Sequence, residues 1–595
     1  MAAPVAVSGL VALVVRIAYL VDVADAPSFR LPLVDAEVYA EAARSFALGH
    51  GFSEAFFYQP FLYPFLLGVL FAVVGPSLIA ARVLQALLGA VTAALAASVS
   101  DRAFGRRAAW VSGIGVALCG PLLFHDVELL ATGLAGLWAV VLVALFWRLE
   151  ERPAVPFAAV TGAICGLASV TRPVFLPVAV VLALGLMIPR RRPDLRVVSA
   201  GVVGFLLVVG TVTAVTRAET GRWSFLPASG GLNLYLGNNP DRCATLTTRP
   251  GEAWHELVTT PSRGGATGGL WADNDWFVEA ARSWATEHPV AAVRGYGAKL
   301  VEFVSSREIP RNVDPYLMRR WSTVLTVSMW KVGSFGFPAG LILPLAAVGL
   351  VGAWRRAPRP LLLAVAAYPA AVALVFVASR YRAPWLPLAL ILAGAGVDCV
   401  LRWIASRDAA RLAGASAVVA TVVLVSVLPG PFCTEGDLEA EYWFLVGAAW
   451  HRTGDDAAAV TNLERAVELD SDRFETRLFL GSLLAARGDA ASAESHLQRA
   501  VQLRPDRAET WRELGVARLR AGETVGAIDA LERAAIADPE DFTVQLNLGS
   551  ALARVGAYGR ALPHLEAAVQ IAPEDRRATL ALEQLRRRMG ARAPA

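Results

Sequence analysis

Asp35 lies just past the first apolar segment of the chain, in LVDAEVYAEAARSFALGHGFSEAFFYQPFLYP (Leu33 to Pro64), and is followed by Glu37, Tyr39 and a short amphipathic helix to Ala47. A carboxylate placed there takes a proton from an acceptor hydroxyl or holds a divalent cation. The alternative is that Asp35 N-caps the helix, since Asp favours caps and first turns. A second acidic pair, Asp126 and Glu128, falls in the turn His125-Asp126-Val127-Glu128, where neighbouring helices bring it toward Asp35. Acids at the ends of apolar segments also serve simply by facing interfacial water. Arg172 in SVTRPVFLP and Arg380 and Arg382 in ASRYRAPWLP carry guanidinium groups suited to bidentate phosphate binding, and a lipid phosphate is the natural ligand. Snorkelling to headgroups is the other reading of each, and the one preferred for Arg16 and Arg82.

A long loop adds polar candidates. In LPASGGLNLYLGNNPDRC (Leu226 to Cys243), Gly230-Gly231 and Gly237-Asn238-Asn239-Pro240 mark tight turns around an aromatic-bearing extended piece. The amides of Asn233 and Asn238 there suit a sugar site, or belong to ordinary turn chemistry. Lys299, one of only two lysines, offers a phosphate contact or sits on a solvated helix face. Two acidic strings are set aside: Asp273-Asn274-Asp275 reads as a helix N-cap and Asp470-Ser471-Asp472 as a turn. There is no phosphate-binding P-loop, and no CxxC or Cys/His cluster at zinc spacing.

Positioning these groups requires a membrane body. Hydrophobic residues make up 55% of the chain and mean hydropathy is +0.49, while the charges crowd after Glu435. Apolar runs at 4–24, 77–99, 108–125, 129–148, 155–171, 173–189, 196–216, 337–353, 360–378, 384–403 and 412–429 predict about eleven spans. Phe61 to Val74, fenced by prolines, is predicted to be interfacial or re-entrant. Arg102/Arg106/Arg107, Arg148/Arg152, Arg190/Arg191/Arg192/Arg196, Arg355/Arg356/Arg359 and Arg402/Arg407/Arg411 then fall on one side, which the positive-inside rule makes cytoplasmic. Asp35, the acidic turn, Arg172, the loop 217–336 and Arg380 to Arg382 share the outer face. Cys243 and Cys433 also fall outside, where a disulfide is open to them. The N-terminus reads as an uncleaved first span, cytoplasmic at its start. The basic residues are dispersed in loops, which argues against a nucleic-acid face.

The tail keeps a period of 34: Gly447/Gly481/Gly515/Gly549, Gly454/Gly488/Gly522/Gly556, Leu463/Leu497/Leu531/Leu565 and Ala466/Ala500/Ala534/Ala568. Several independent positions on one period give the tetratricopeptide pattern, two helices per unit, with a basic capping helix from about Arg576 to Met589. The expected fold is all-α: a polytopic transmembrane bundle over 1–431, then a solenoid of four repeats plus cap over 438–595.

Asp35-Ala36-Glu37-Val38-Tyr39, the acidic turn, Thr171-Arg172-Pro173, GGLNLYLGNNP, EIPRN and RYRAPWLP occur in one order and on one predicted side. In these stretches the first 430 or so residues resemble the polytopic lipid-sugar-dependent glycosyltransferases, the superfamily of protein O-mannosyltransferases and the aminoarabinose transferase acting on lipid A. The closest likeness is to bacterial members with C-terminal tetratricopeptide repeats. The resemblance implies inverting transfer from a polyprenyl-phosphate sugar in the cell membrane, with Asp35 as general base. It also implies Asp126 or Glu128 assisting or helping hold a metal, and Arg172, Arg380 and Arg382 binding the departing lipid phosphate. Many relatives carry Asp-Glu at the first site, whereas Ala36 follows Asp35 here, leaving a divalent cation an open question. The repeats imply a protein acceptor or partner. Two rivals stand: a catalytically silent scaffold, and a lipid-linked glycan polymerase, ligase or flippase.

Overall fold

The computed structural model describes residues 2–187, 194–428, 433 and 438–590. The chain forms two compact units, Met1–Gly436 and Asp437–Ala595.

The first unit is a helical bundle whose only described strands form one short hairpin, Trp330–Val332 with Phe335–Phe337. Among the described residues six helices are long and apolar enough to cross a membrane: Ala3–Asp22, Leu78–Phe104, Thr132–Glu151, Leu195–Thr220, Ser379–Ala405 and Ala409–Val427. A seventh arises if Arg106–Leu118 and Gly120–Val127, bent by 47° at Cys119, form one broken span. The remaining expected spans are the shorter apolar helices Val155–Thr171, Phe175–Met187, Ala339–Gly352 and Arg359–Ala373. At 1.5 Å per residue, Val155–Thr171, Ala339–Gly352 and Arg359–Ala373 fall below the roughly 30 Å of a hydrocarbon core. Pro173 separates Val155–Thr171 from Phe175–Met187, and Pro358 precedes Arg359–Ala373.

Leu62–Val74 is a 13-residue helix laid against Asp35–Ala47, with Tyr63, Leu67 and Phe71 packed on Ala36, Ala40 and Ala43. Glycine elsewhere brings backbones together. A Cβ at Gly162 would stand 1.8 Å from the carbonyl of Gly201, and one at Gly349 would stand 1.9 Å from that of Leu392, so neither helix pair admits a side chain at its crossing.

Several arginine clusters meet at one end of the bundle. Arg102 pairs with Glu151, Arg356 donates to the Phe104 carbonyl at 2.8 Å, and Arg402 and Arg356 share Asp398 at 3.0 and 3.7 Å. Arg190, Arg191 and Arg192 lie outside the described residues, as does residue 431.

The expected loop 217–336 is largely helical. Leu195–Thr220 stops at Gly221, whose φ of 76° is the left-handed cap glycine favours. The stretch predicted to be extended is instead the helix Ser229–Gly237. Its Leu232 and Leu236, four apart, cluster with Phe277 and Phe376, so helical periodicity overrides the glycine pair. Asp273-Asn274-Asp275 is not a cap either. The helix Leu270–Glu287 starts at Gly269, and Asn274, inside it, accepts the Gly231 N–H at 2.8 Å while Asp275 pairs with Arg222. Cys243 and Cys433 are joined in a disulfide with Cα atoms 4.9 Å apart.

The second unit stacks helix pairs Leu438–Arg452/Asp456–Leu469, Phe474–Arg487/Ala490–Leu503, Ala508–Arg520/Thr524–Ala537 and Phe542–Arg554/Tyr558–Ile571, followed by Arg576–Gly590. The period has a steric cause. A Cβ on Gly447, Gly481, Gly515 or Gly549 would fall 2.6–2.7 Å from Cγ of the matching leucine, Leu463, Leu497, Leu531 or Leu565, each fully buried. Gly454, Gly488, Gly522 and Gly556 turn the chain between helices at φ of 81–89°. Asp470-Ser471-Asp472 lies in the turn between the first two pairs. Gly481→Val is therefore expected to cost about 1–3 kcal/mol through overpacking on Leu497, seen as faster limited proteolysis of the repeats in the full chain.

Candidate functional site

Asp35 is the first residue of its helix, and the preceding Val34 has φ 54°, an uncommon conformation for a β-branched residue. The carboxylate does not cap the helix, because every donor it meets comes from a distant segment. Oδ1 accepts from Gln59 Nε2 at 3.1 Å, and Oδ2 accepts from Asn312 Nδ2 at 3.1 Å and from Arg380 Nη1. Arg380 Nη1 also donates to Asn312 Oδ1 at 3.0 Å, and the Tyr39 hydroxyl donates to Gln59 Oε1 at 3.4 Å. Burial alone would raise the Asp35 carboxyl, but the Arg380 guanidinium and the Asn312 amide outweigh it and hold the acid below the ordinary carboxylate range.

Of the three expected phosphate-binding arginines, only Arg380 reaches this cluster. Ser379–Arg382 is one helical turn, and residues two apart on a turn point to opposite sides. Arg382 accordingly turns inward, where it is 2% exposed and bonded to the Glu308 carboxylate and the Ser305 carbonyl. Arg172 supports the turn rather than the cleft. Its guanidinium donates to the Arg380 carbonyl at 2.6 Å and to Thr132 Oγ1 at 2.7 Å. The Tyr381 ring lies about 5 Å from both guanidinium carbons, 5.1 Å from Arg172 and 5.2 Å from Arg380.

The acidic pair divides in the same way. Asp126, in the last turn of Gly120–Val127, turns into the bundle and accepts from Arg16 Nε at 2.7 Å, both side chains at most 5% exposed. Arg16 donates as well to the carbonyls of Ala12 and Ala117 at 3.3 and 3.4 Å, so it is a core residue and does not snorkel. Arg82 is likewise buried, its Nε 3.1 Å from the Val127 carbonyl and its guanidinium over the Phe29 ring at 4.1 Å. Glu128, two residues beyond Asp126, turns outward into a narrow cleft that it lines with His125, Arg311, Asn312, Ser379 and Arg380. Burial pushes its carboxyl up to about 7 against the opposing pull of Arg82.

Asp35, Asp126 and Glu128 thus occupy separate polar settings instead of converging on a cation. Among the described residues no group of three His, Cys, Asp or Glu side chains is placed to hold a metal.

Lys299 and Asn238 bond the backbone around them. Lys299 is 1% exposed and donates to the Gly237 carbonyl at 3.1 Å, Asn238 Oδ1 at 2.8 Å and the Val375 carbonyl at 3.0 Å. It is not on a solvated face, its three N–H donors are taken by these acceptors, and burial lowers its ammonium to about 8. Asn238 completes the clasp by donating to the carbonyls of Leu234 and Leu374. Asn233 is half-buried on the helix Ser229–Gly237, apart from the residues that line the cleft.

Gln59, Arg311 and Asn312 were given no role from the sequence, although Gln59 lies in the Leu33 to Pro64 stretch and Arg311 and Asn312 close the EIPRN motif. Arg311 donates to the Leu246 carbonyl at 2.5 Å and lies against the rings of Trp254 and Phe376, and burial followed by Arg380 lowers its guanidinium to about 10.

No curated protein matches the chain. Solved structures similar to it include that of MamA, at 27% identity over 24% of this chain and 85% of that one, with a TM-score of 0.24. YrrB, described as a TPR protein with an unusual peptide-binding site, matches at 18% over 26% of this chain and 79% of that one, TM-score 0.24. A thermophilic TPR protein of Thermus thermophilus matches at 20% over 25% of this chain and 83% of that one, TM-score 0.22. The family model described as tetratricopeptide repeat matches residues 478–542 and 513–576, so the C-terminal part of this chain consists of tetratricopeptide repeats.

Proposed function

We propose that the first unit is a membrane glycosyltransferase that moves a sugar from a polyprenyl-phosphate donor to a protein, lipid or glycan acceptor. The reaction is placed on the extracytoplasmic face, with the repeats binding the acceptor or a partner protein. The observation that carries this reading is Arg380, held by Arg172 from behind and lining one cleft with Arg311, Asn312 and Glu128, while Asp35 occupies its guanidinium. Two guanidinium groups in a half-buried cleft suit the phosphate leaving group, whose charge grows as the sugar–phosphate bond breaks. Glu128 in the cleft and Asp35 against Arg380 supply the means to take the hydroxyl proton. The arginine clusters at the far end of the bundle support a cytoplasmic location for that end and an outer one for the cleft.

A silent scaffold is favoured by one observation: Ala36 stands where many transferases of the resembled type carry a second acid. Incubating membranes that contain the full chain with a panel of short-chain polyprenyl-phosphate sugars, and measuring release of polyprenyl phosphate by mass spectrometry, separates the two. Release above that of membranes lacking the chain supports the transferase and names the sugar. No release with native membranes supplying acceptor refutes it.

A further inference from the structure

Asp35 and Glu128 are not equivalent candidates for the proton. Both Asp35 oxygens are engaged, with Gln59 on one and Asn312 and Arg380 on the other. A carboxylate that accepts three such donors is stabilised as the anion and is a weak base. Glu128 lines the same cleft as Arg311, Asn312 and Arg380, yet its carboxylate accepts no hydrogen bond among the described residues. Gln85 bonds only its backbone carbonyl, at 2.9 Å.

We infer that Glu128 accepts the proton of the attacking hydroxyl, and that Asp35 is a positioning residue that holds Arg380 and Asn312 across the cleft. This rests on the transferase reading. In the step, the acceptor O–H bond breaks and its proton passes to a Glu128 carboxylate oxygen. The acceptor oxygen forms its bond to the sugar's anomeric carbon, the carbon–oxygen bond to phosphate breaks, and the electron pair departs with the lipid phosphate toward Arg380 and Arg311.

The surroundings of Glu128 suit a base that works near neutral pH. Arg82 of Leu78–Phe104 acts on it electrostatically, its own charge bears on Tyr19 of Ala2–Asp22 and Tyr63 of Leu62–Val74, and His125, Arg311 and Arg380 share its cleft. Arg82 is the cation that opposes the burial of its charge. The Tyr63 hydroxyl is buried without a hydrogen-bond partner among the described residues, so it does not donate to the Glu128 carboxylate.

The two assignments predict different pH profiles. A base must be deprotonated to act, so with Glu128 in that role kcat/KM falls about tenfold per pH unit as pH drops below about 7. With Asp35 in the role, the profile stays flat until below the ordinary carboxylate range.

The test is polyprenyl-phosphate release by full-length wild type, Glu128→Gln, Glu128→Asp and Asp35→Asn between pH 5 and 9, with polyprenyl-phosphate binding measured alongside. Glu128→Gln is expected to keep binding, lose turnover by roughly 10²–10⁴-fold and lose the limb near neutrality. Glu128→Asp, with its carboxylate on a shorter stem, is expected to retain measurable turnover with the limb displaced, which also shows the site tolerates change there. Asp35→Asn is expected to raise KM and keep the limb. Turnover by Glu128→Gln within a few-fold of wild type, a limb that survives in it, or a wild-type profile flat to pH 5 overturns the assignment while the transferase reading stands. Absence of any wild-type turnover overturns both.

Discussion

Replacing Arg380 with alanine is expected to lower kcat/KM for a polyprenyl-phosphate sugar by about 10²–10³-fold, the usual cost of removing one preorganised donor from a developing anion. Arg380 performs two tasks at once, facing the cleft and bridging Asp35 and Asn312, and both end with its guanidinium. Arg380→Lys is expected to recover little, because a point ammonium cannot occupy the forked position between a carboxylate and an amide oxygen. Loss of Arg380 also removes the charge that holds Asp35 down, so the Asp35 carboxyl moves upward toward the range burial alone would impose. Steady-state kinetics of the two variants, with polyprenyl-phosphate binding in parallel, checks the expectation. A kcat/KM for Arg380→Ala within threefold of wild type would remove Arg380 from the phosphate site.

Asp126→Ala is expected to be the most damaging single change to folding, costing about 3–5 kcal/mol, because it leaves the buried Arg16 charge with two distant carbonyls. Arg16 is 1% exposed and a Cβ on Gly89 would fall 2.1 Å from its Nε, so the guanidinium is packed directly against the backbone of Leu78–Phe104. The double variant Arg16→Leu/Asp126→Leu removes both charges together and is expected to regain most of the loss, since two apolar groups replace a buried ion pair at small cost. Thermal unfolding of detergent-solubilised protein measures both. Equal midpoints for the single and double variants would show that the pair itself is not what holds these helices.

The architecture of the tail was legible because one glycine-to-leucine contact repeats four times, and each repeat writes the same steric requirement into the sequence. The apolar segments were legible from composition, whereas their lengths were not. Proline and glycine breaks such as the bend at Cys119 divide runs that hydropathy reads as continuous.

The site was legible in its chemistry and not in its orientation. Arg380 and Arg382 are two residues apart, and so are Asp126 and Glu128. In each pair the turn of the helix sends one side chain to the cleft and the other into a buried ion pair. Composition cannot show which, because the partner is remote: Glu308 for Arg382 and Arg16 for Asp126, 74 and 110 residues away. Asn312 was missed for a similar reason, being 277 residues from the carboxylate it bonds. Lys299 shows the converse, a charged residue whose ligands are two backbone carbonyls and one amide oxygen, none of which a sequence pattern announces.

The disulfide between Cys243 and Cys433 closes a covalent ring of the intervening backbone. Arg311, Asn312, Ser379 and Arg380 are carried inside that ring, while Asp35, Gln59, Glu128 and Arg172 belong to the open strand of chain before it. A protease that cuts anywhere between the two cysteines therefore opens a loop without releasing a fragment. After a cut between Cys243 and Arg311 the arginine-bearing wall of the cleft stays tethered to the wall that carries the acids until a reductant reaches the bond, and only then would the two walls separate on a gel.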